Sequence, residues 1–249
     1  MGSGTTSDGA ADQERLRLAF DGVAGRVAAA CARVGRDPAS VTIVAVSKTV
    51  AIERLRTAID LGIGTLGENR VQEAAAKIVA LPPATWHLVG PLQSNKARRA
   101  IELFDVIETV DSLDLASRLD RLSSDLRADR PVRTFVQVNV DDDPAKAGFV
   151  PAALDDALGQ LLILPGLAVE GLMTIGRLVS TADDARPTFR ALRALSERLR
   201  ERHPRLGSQL SMGMTDDFEV AVEEGATVVR VGRAIFGERA TIGTVDSPA

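Results

Sequence analysis

Residues 41–50 read VTIVAVSKTV, an apolar run that stops at a lysine. Val41, Ile43, Val44, Ala45 and Val46 leave no polar face, so the run reads as a strand buried on both sides. Such strands belong to parallel sheets, which helices cover on both faces. Working outward, strands are expected at 42–47, 63–66, 85–89, 105–109, 133–139, 168–173, 208–211 and 227–231. Helical stretches lie between them. Ile52, Leu55 and Ile59 mark one apolar helix face, and Phe189, Leu192, Leu195 and Leu199 another. Leu113, Leu119, Leu122 and Leu126 do so less regularly. Eight strand–helix units in about 250 residues fit a single-domain α/β (β/α)8 TIM barrel, with an open doubly wound sheet as the runner-up. An extra N-terminal helix is read from Leu16, Phe20, Val23, Val27, Cys31 and Val34. The barrel domain is expected over 13–240, between a disordered tail at 1–12 and a C-terminal tail at 241–249.

GIGTLG at 62–67 matches the dinucleotide-binding glycine pattern, but that pattern must follow a strand and open a helix. Here it follows a helix ending near Leu61. Gly62 reads as that helix's terminal glycine and Ile63–Leu66 as the next strand.

Composition excludes several classes. The net charge is -4, so neither nucleic acid nor an anionic membrane is an expected partner. No apolar stretch approaches the length of a membrane span. MGSGTT fits a myristoylation pattern, but no polybasic second signal accompanies it. The single cysteine, Cys31, rules out a disulfide framework and a Cys-based metal site. It reads as a core thiol of a cytoplasmic protein. Two histidines, His87 and His203, do not suggest a His-rich metal centre.

In a barrel the carboxyl ends of the strands form the active face. The polar residues gather there: Ser47-Lys48-Thr49, Gly67-Glu68-Asn69-Arg70, His87 with GPLQSNK, Asn139 with DDDPAKAG, Met173-Thr174, SMGMT at 211–215 and RVGRAIFG at 230–237. The opposite ends look like ordinary turns, such as Leu164-Pro165-Gly166. Ser211 and Thr215 offer hydroxyls, and Gly213 and Gly232 allow close approach of backbone N–H groups to an anion. The alternative is that Thr215 is an N-cap and the glycines form turns. Asp216 and Asp217 are expected in the first turn of the next helix, where they satisfy its dipole.

Lys48 is one of four lysines, with 77, 96 and 146, among 30 Lys+Arg. A solvated cation can be written as arginine, but an imine-forming amine cannot. A strand-end amine facing a phosphate cradle suggests pyridoxal 5'-phosphate (PLP), which needs both. Arg230, late in the last strand, could reach the pyridine nitrogen, or else pair with Glu223 or Glu224. Asn69 could bond the phenolic oxygen, or cap the next helix. His87, beside Trp86, reads as structural. Asp141–Asp143 reads as a solvated loop. Arg233 is a further phosphate candidate.

VAVSKT, GENRVQE, WHLVGPLQSNK, VNVDDDPAKAG, GLMTIG and SMGMTDDFEVAVEEGATVVRVGRAIFGER together resemble the pyridoxal phosphate homeostasis protein family, from about residue 14 to 239. The resemblance implies a barrel of the alanine racemase N-terminal-domain type, with Lys48 carrying PLP as a Schiff base. It implies that the segment with Ser211, Met214 and Thr215, together with Gly232 and Arg233, holds the phosphate, with Asn69 and Arg230 near the ring. Four positions depart from the family pattern: Arg70 for a common Tyr, Thr215 for Ser, Ala147 for Ser, and Arg233 for a small residue.

Alanine racemase uses two bases, a lysine and a tyrosine that a second domain and the dimer supply. This chain has no tyrosine and is expected to lack that domain. The family resemblance implies a different role, intracellular PLP homeostasis, by binding, buffering or carrying the cofactor without robust turnover. PLP-dependent apoenzymes are the candidate recipients and a monomer the expected state. The alternatives are a PLP-dependent amino-acid racemase and a cofactor-free Schiff-base aldolase barrel.

Overall fold

β1 (Thr42–Val46) forms where the apolar run predicts it. It pairs in parallel with β2 (Thr65–Glu68) on one side and β8 (Val228–Val231) on the other. Those two pairings close the sheet. The computed structural model describes residues 4–127, 130–177 and 179–238. Between the closing strands lie β3 (Thr85–Leu88), β4 (Val106–Val110), β5 (Val132–Gln137), β6 (Leu167–Met173) and β7 (Gln209–Met214). Each strand pairs with its sequence neighbours, giving a closed, all-parallel eight-stranded barrel. Right-handed crossovers require a connection over the outside of each strand pair. α2 (Ile52–Asp60), α3 (Val71–Ala80), α4 (Ala97–Leu103), α5 (Leu113–Leu126), α6 (Pro151–Leu161), α7 (Arg186–Arg202) and α8 (Phe218–Glu223) provide it. α9 (Arg233–Phe236) follows the last strand.

Alternation along the strands sorts side chains into two cores. Val44, Val89, Val106, Phe135, Met173 and Val228 cluster in the barrel interior, with Val46 and Ile175 packed on them. The larger cluster fills the layer between strands and helices, and includes Leu66, Trp86, Leu119, Phe189 and Phe218. Cys31 lies in this layer, fully buried, as a core thiol.

Two local expectations change. α1 runs Gly4–Arg33, so residues 4–12, expected as a tail, are helical. Extending a helix that packing has already nucleated adds one hydrogen bond per residue fixed, and the first proline is Pro38. Asp12 also ties that stretch to the barrel, lying 3.5 Å from the Arg54 guanidinium on α2. The expected C-terminal tail, 241–249, lies outside the described residues.

β2 begins at Thr65, two residues later than the sequence suggests. The cause is the end of α2. Gly62 takes φ 87°, its N–H donates to the Ile59 carbonyl, and the Ile63 N–H donates back to Ala58. This pair of bonds ends a helix in a left-handed glycine turn and draws Ile63 into the helix terminus. The strand can start only after it, so Gly67 and Glu68 fall inside β2. A Cβ at Gly67 would sit 2.7 Å from the Val44 side chain, so glycine is what lets β2 lie this close to β1.

Candidate functional site

The site is built outward from the end of β1. Ser47 is fully buried and every polar atom it carries is held. Its N–H donates to Gly67 O at 2.8 Å, its hydroxyl to Glu68 Oε1 at 2.7 Å, and its carbonyl accepts from Lys77 Nζ at 2.8 Å. Two residues on, the Thr49 N–H donates to Glu73 Oε1 at 2.6 Å. Thr49 has φ 64°, a left-handed conformation costing a β-branched residue about 1–2 kcal/mol. Between these fixed neighbours the Lys48 side chain has no hydrogen-bond or ion-pair partner among the described residues. It lines a cavity of 650 Å³ at the carboxyl ends of β1, β2, β7 and β8.

Seven of the expected site residues meet in that one cavity: Lys48, Asn69, Met214, Thr215, Arg230, Gly232 and Arg233. Asn69 does not cap α3, whose N-cap residue is Arg70 and receives no side-chain cap bond. The Asn69 backbone packs against Gly90, where a Cβ would come within 2.4 Å of the Asn69 carbonyl. Gly232 lies close under β1, with an added Cβ 3.1 Å from the Val46 carbonyl.

Ser211 does not join them. It is fully buried, its hydroxyl donates to Glu108 Oε2 at 2.6 Å, and it accepts from Arg230 Nη1. Position 211 points into the barrel, below the mouth where an anion could lie. Sequence order alone could not separate it from Thr215, which does line the cavity.

Arg230 pairs with neither Glu223 nor Glu224. Those carboxylates bind Arg33, Arg186 and Arg190 on the outer helices. Arg230 is buried inside the barrel, with Nη2 donating to the Thr174 carbonyl at 2.7 Å and Nη1 3.7 Å from Glu108. Burial pushes its pKa down, and the charges of Glu108 and Asp217 oppose that. Two of its N–H groups are engaged, so others remain for the cavity it lines. Glu108 is the residue the sequence reading missed. It accepts from Ser211, and its Oε1 lies 2.6 Å from His87 Nδ1. Burial works to raise the Glu108 pKa, yet His87 and Arg230 carry it below the usual carboxylate range. The signal was present: a carboxylate inside the fully buried strand VIETV.

The β7–α8 turn also differs from expectation. Asp217 is the N-cap residue of α8, not part of its first turn, and makes no cap bond to the helix. Its carboxylate turns back and accepts from the Met214 N–H at 2.6 Å. Burial pushes that carboxyl up, against this bond and the Arg230 charge. Asp216 pairs with the Arg233 guanidinium across the cavity rim. Arg54 lines the same cavity, and its buried Nε has no hydrogen-bond partner among the described residues. Asp141, expected in a solvated loop, instead accepts from the Thr188 hydroxyl at 2.6 Å and pairs with Arg177.

Gly213 shapes this turn. Its φ is 89°, and a Cβ would lie 2.5 Å from Ala221 Cβ and 3.0 Å from Phe218 Cα. Gly213→Val is expected to cost about 2–4 kcal/mol of stability, the sum of left-handed strain and overpacking. Urea denaturation of the parent and variant measures it; an unchanged midpoint would contradict this packing.

The family model described as "Alanine racemase, N-terminal domain" matches residues 25–240. The "Pyridoxal phosphate homeostasis protein" of Escherichia coli (strain K12) is 38% identical over 220 residues, which cover 86% of this chain and 92% of that protein. A solved structure of PipY from Synechococcus elongatus PCC7942, described with PLP bound, is 43% identical. It superposes with a TM-score of 0.75 over 86% of this chain and 100% of that one. Alanine racemase of Clostridium difficile 630, 13% identical with a TM-score of 0.71 over 92% of this chain and 58% of its own, shares the fold.

Proposed function

The chain belongs to the pyridoxal phosphate homeostasis protein family, and on that premise we propose that its barrel cavity binds PLP through Lys48. One observation carries the proposal. A single cavity gathers the Lys48 amine with the donors Thr215, Arg230 and Arg233. That donor set suits a phosphate ester on a small aromatic aldehyde. Thr215, Arg233 and the Gly232 backbone would hold the phosphate, and Asn69 and Arg230 would face the ring. Met214 walls the cavity beside them. Bound, the cofactor supplies an aldehyde that condenses reversibly with a primary amine, releasing water.

Binding without robust turnover is the reading that the residues favour. Among the described residues Lys48 is the one amine in the cavity lining, and the chain has no tyrosine to act as a second base. Placed beside the ring nitrogen of a bound cofactor, Arg230 would keep a proton off it, because like charges repel, and so would weaken the ring as an electron sink. Buffering of a reactive aldehyde and delivery to PLP-dependent apoenzymes complete the proposal and rest on the family resemblance; a monomeric state rests on the single compact barrel, and a cytoplasmic location on the lone cysteine. None of the helices among the described residues is long and apolar enough to cross a membrane.

Titration of the purified protein with PLP tests the binding half. The expected result is a visible absorbance band that saturates at one cofactor per chain; no band at saturating PLP would contradict it. The turnover half is read by α-proton exchange of amino acids in deuterated water. The loaded protein is expected to exchange no faster than free PLP, and sustained rapid exchange would make the racemase reading the better one.

A further inference from the structure

Lys77 is the second lysine of this region, and the binding reading leaves it unused. It is 5% exposed, and neither it nor its partners Glu68 and Glu73 lines the cavity. Its ammonium makes three hydrogen bonds, to the Ser47 carbonyl at 2.8 Å and to Glu68 Oε1 and Glu73 Oε1 at 2.7 Å each. Those are all the donors an ammonium has. Both carboxylates are shared with the β1 turn. Glu68 also takes the Ser47 hydroxyl, and Glu73 also takes the Thr49 N–H. One buried cation therefore fastens the residues on either side of Lys48.

This is a costly way to stabilise a barrel. Two carboxylates share one ammonium, burial pushes the Glu68 carboxyl up against its bonds from Lys77 and Ser47, and Glu68 Oε2 is buried without a hydrogen-bond partner among the described residues. Well-packed apolar side chains would stabilise the same volume at least as well. What they could not do is hold a backbone N–H and a backbone carbonyl, and with them a β-branched residue at positive φ. Strained backbone of this kind persists only where its surroundings over-determine it, and it clusters at functional sites.

We propose that Lys77 and Glu73 are positioning residues: by gripping the Ser47 carbonyl and the Thr49 N–H, they aim the Lys48 amine into the cavity. The inference rests on the Lys48 reading above and adds the device that sets the direction of the amine. It also explains why Lys77 is not the reactive lysine. Its three donors are occupied, and it lies outside the cavity.

Glu73→Ala and Glu73→Gln test it. Glu73 is partly exposed, and Lys77 keeps Glu68 as its partner when Glu73 is replaced, so neither variant leaves a buried charge unpaired. Alanine removes the acceptor for the Thr49 N–H; glutamine keeps an oxygen there. Lys48 labelling is read by formaldehyde and borohydride without PLP, mapped by peptide mass spectrometry with Lys96 and Lys146 as internal references. The growth of the visible band after PLP addition is read separately. Parent Lys48 is expected to label faster than both references. Glu73→Ala is expected to lose that lead and to slow band formation about tenfold, since small misplacements of reacting groups have effects of this order. Glu73→Gln is expected to restore most of both rates.

Glu73→Ala behaving as the parent would overturn the proposal. So would equal losses in both variants that track their melting temperatures, because that marks a merely structural role. If the parent forms no band with PLP, the cofactor reading fails, while the labelling ratio still decides whether Glu73 aims Lys48.

Discussion

Lys48→Ala protein is expected to stay colourless when PLP is added, under conditions in which the parent turns yellow. Its fold should be untouched. Lys48 sits at the cavity wall, outside both core clusters, so its truncation falls in the class of substitutions within about ±0.5 kcal/mol. Lys77 cannot replace it, because its three donors are held by Ser47, Glu68 and Glu73. The Thr215 and Arg233 donors remain, so the variant should keep weak, phosphate-dependent affinity without the visible band. Absorbance together with a thermal melt checks the expectation. A yellow Lys48→Ala protein of normal stability would contradict it.

The second large effect lies below the cavity. Glu108→Ala removes the carboxylate that faces Arg230, Ser211 and His87 inside the barrel, and strands a buried guanidinium. Breaking one side of a buried ion pair in this way costs about 3–5 kcal/mol. The pH dependence has a definite sign. The folded-state pKa of Glu108 is depressed, so its stabilisation is complete above the usual carboxylate range and is lost as pH falls through the lowered folded value. Glu108→Gln should therefore be less stable than the parent near neutral pH and should lose less on acidification. Urea denaturation at neutral and acidic pH measures both; parallel pH profiles would contradict the assignment. Arg230 would also lose its fixed direction, so PLP affinity should fall in the same variants.

The parallel barrel was legible because β1 carries no polar face and because eight strand–helix units recur along the chain. Lys48 stood out from the other lysines by that context, and the structure brings it into one cavity with six other residues read from the strand ends. What escaped the sequence did so for identifiable reasons. The start of β2 was misplaced because Ile63 looks like a strand residue, and its apolar side chain is in fact buried at the end of α2. Ser211 was assigned to the cradle because a hydroxyl in sequence does not reveal that its bonds go to Glu108 and Arg230. Glu108 and Lys77 were overlooked because attention to the strand ends passes over a charge buried in mid-strand or on the inner side of a helix. Glu108 lies 103 residues from Ser211 and farther still from Arg230, a separation that no local pattern reports. The helical stretch at 4–12 was missed because its composition is that of a tail; its connection to the barrel, Asp12 to Arg54, is again a tertiary contact.

The measurement that bears most directly on the central claim is the site of PLP attachment. The purified protein is loaded with PLP, reduced with borohydride, digested and mapped by mass spectrometry. The expected result is a single pyridoxyl adduct on the peptide that contains Lys48. An adduct confined to Lys77, Lys96 or Lys146, or no adduct at all, would contradict it.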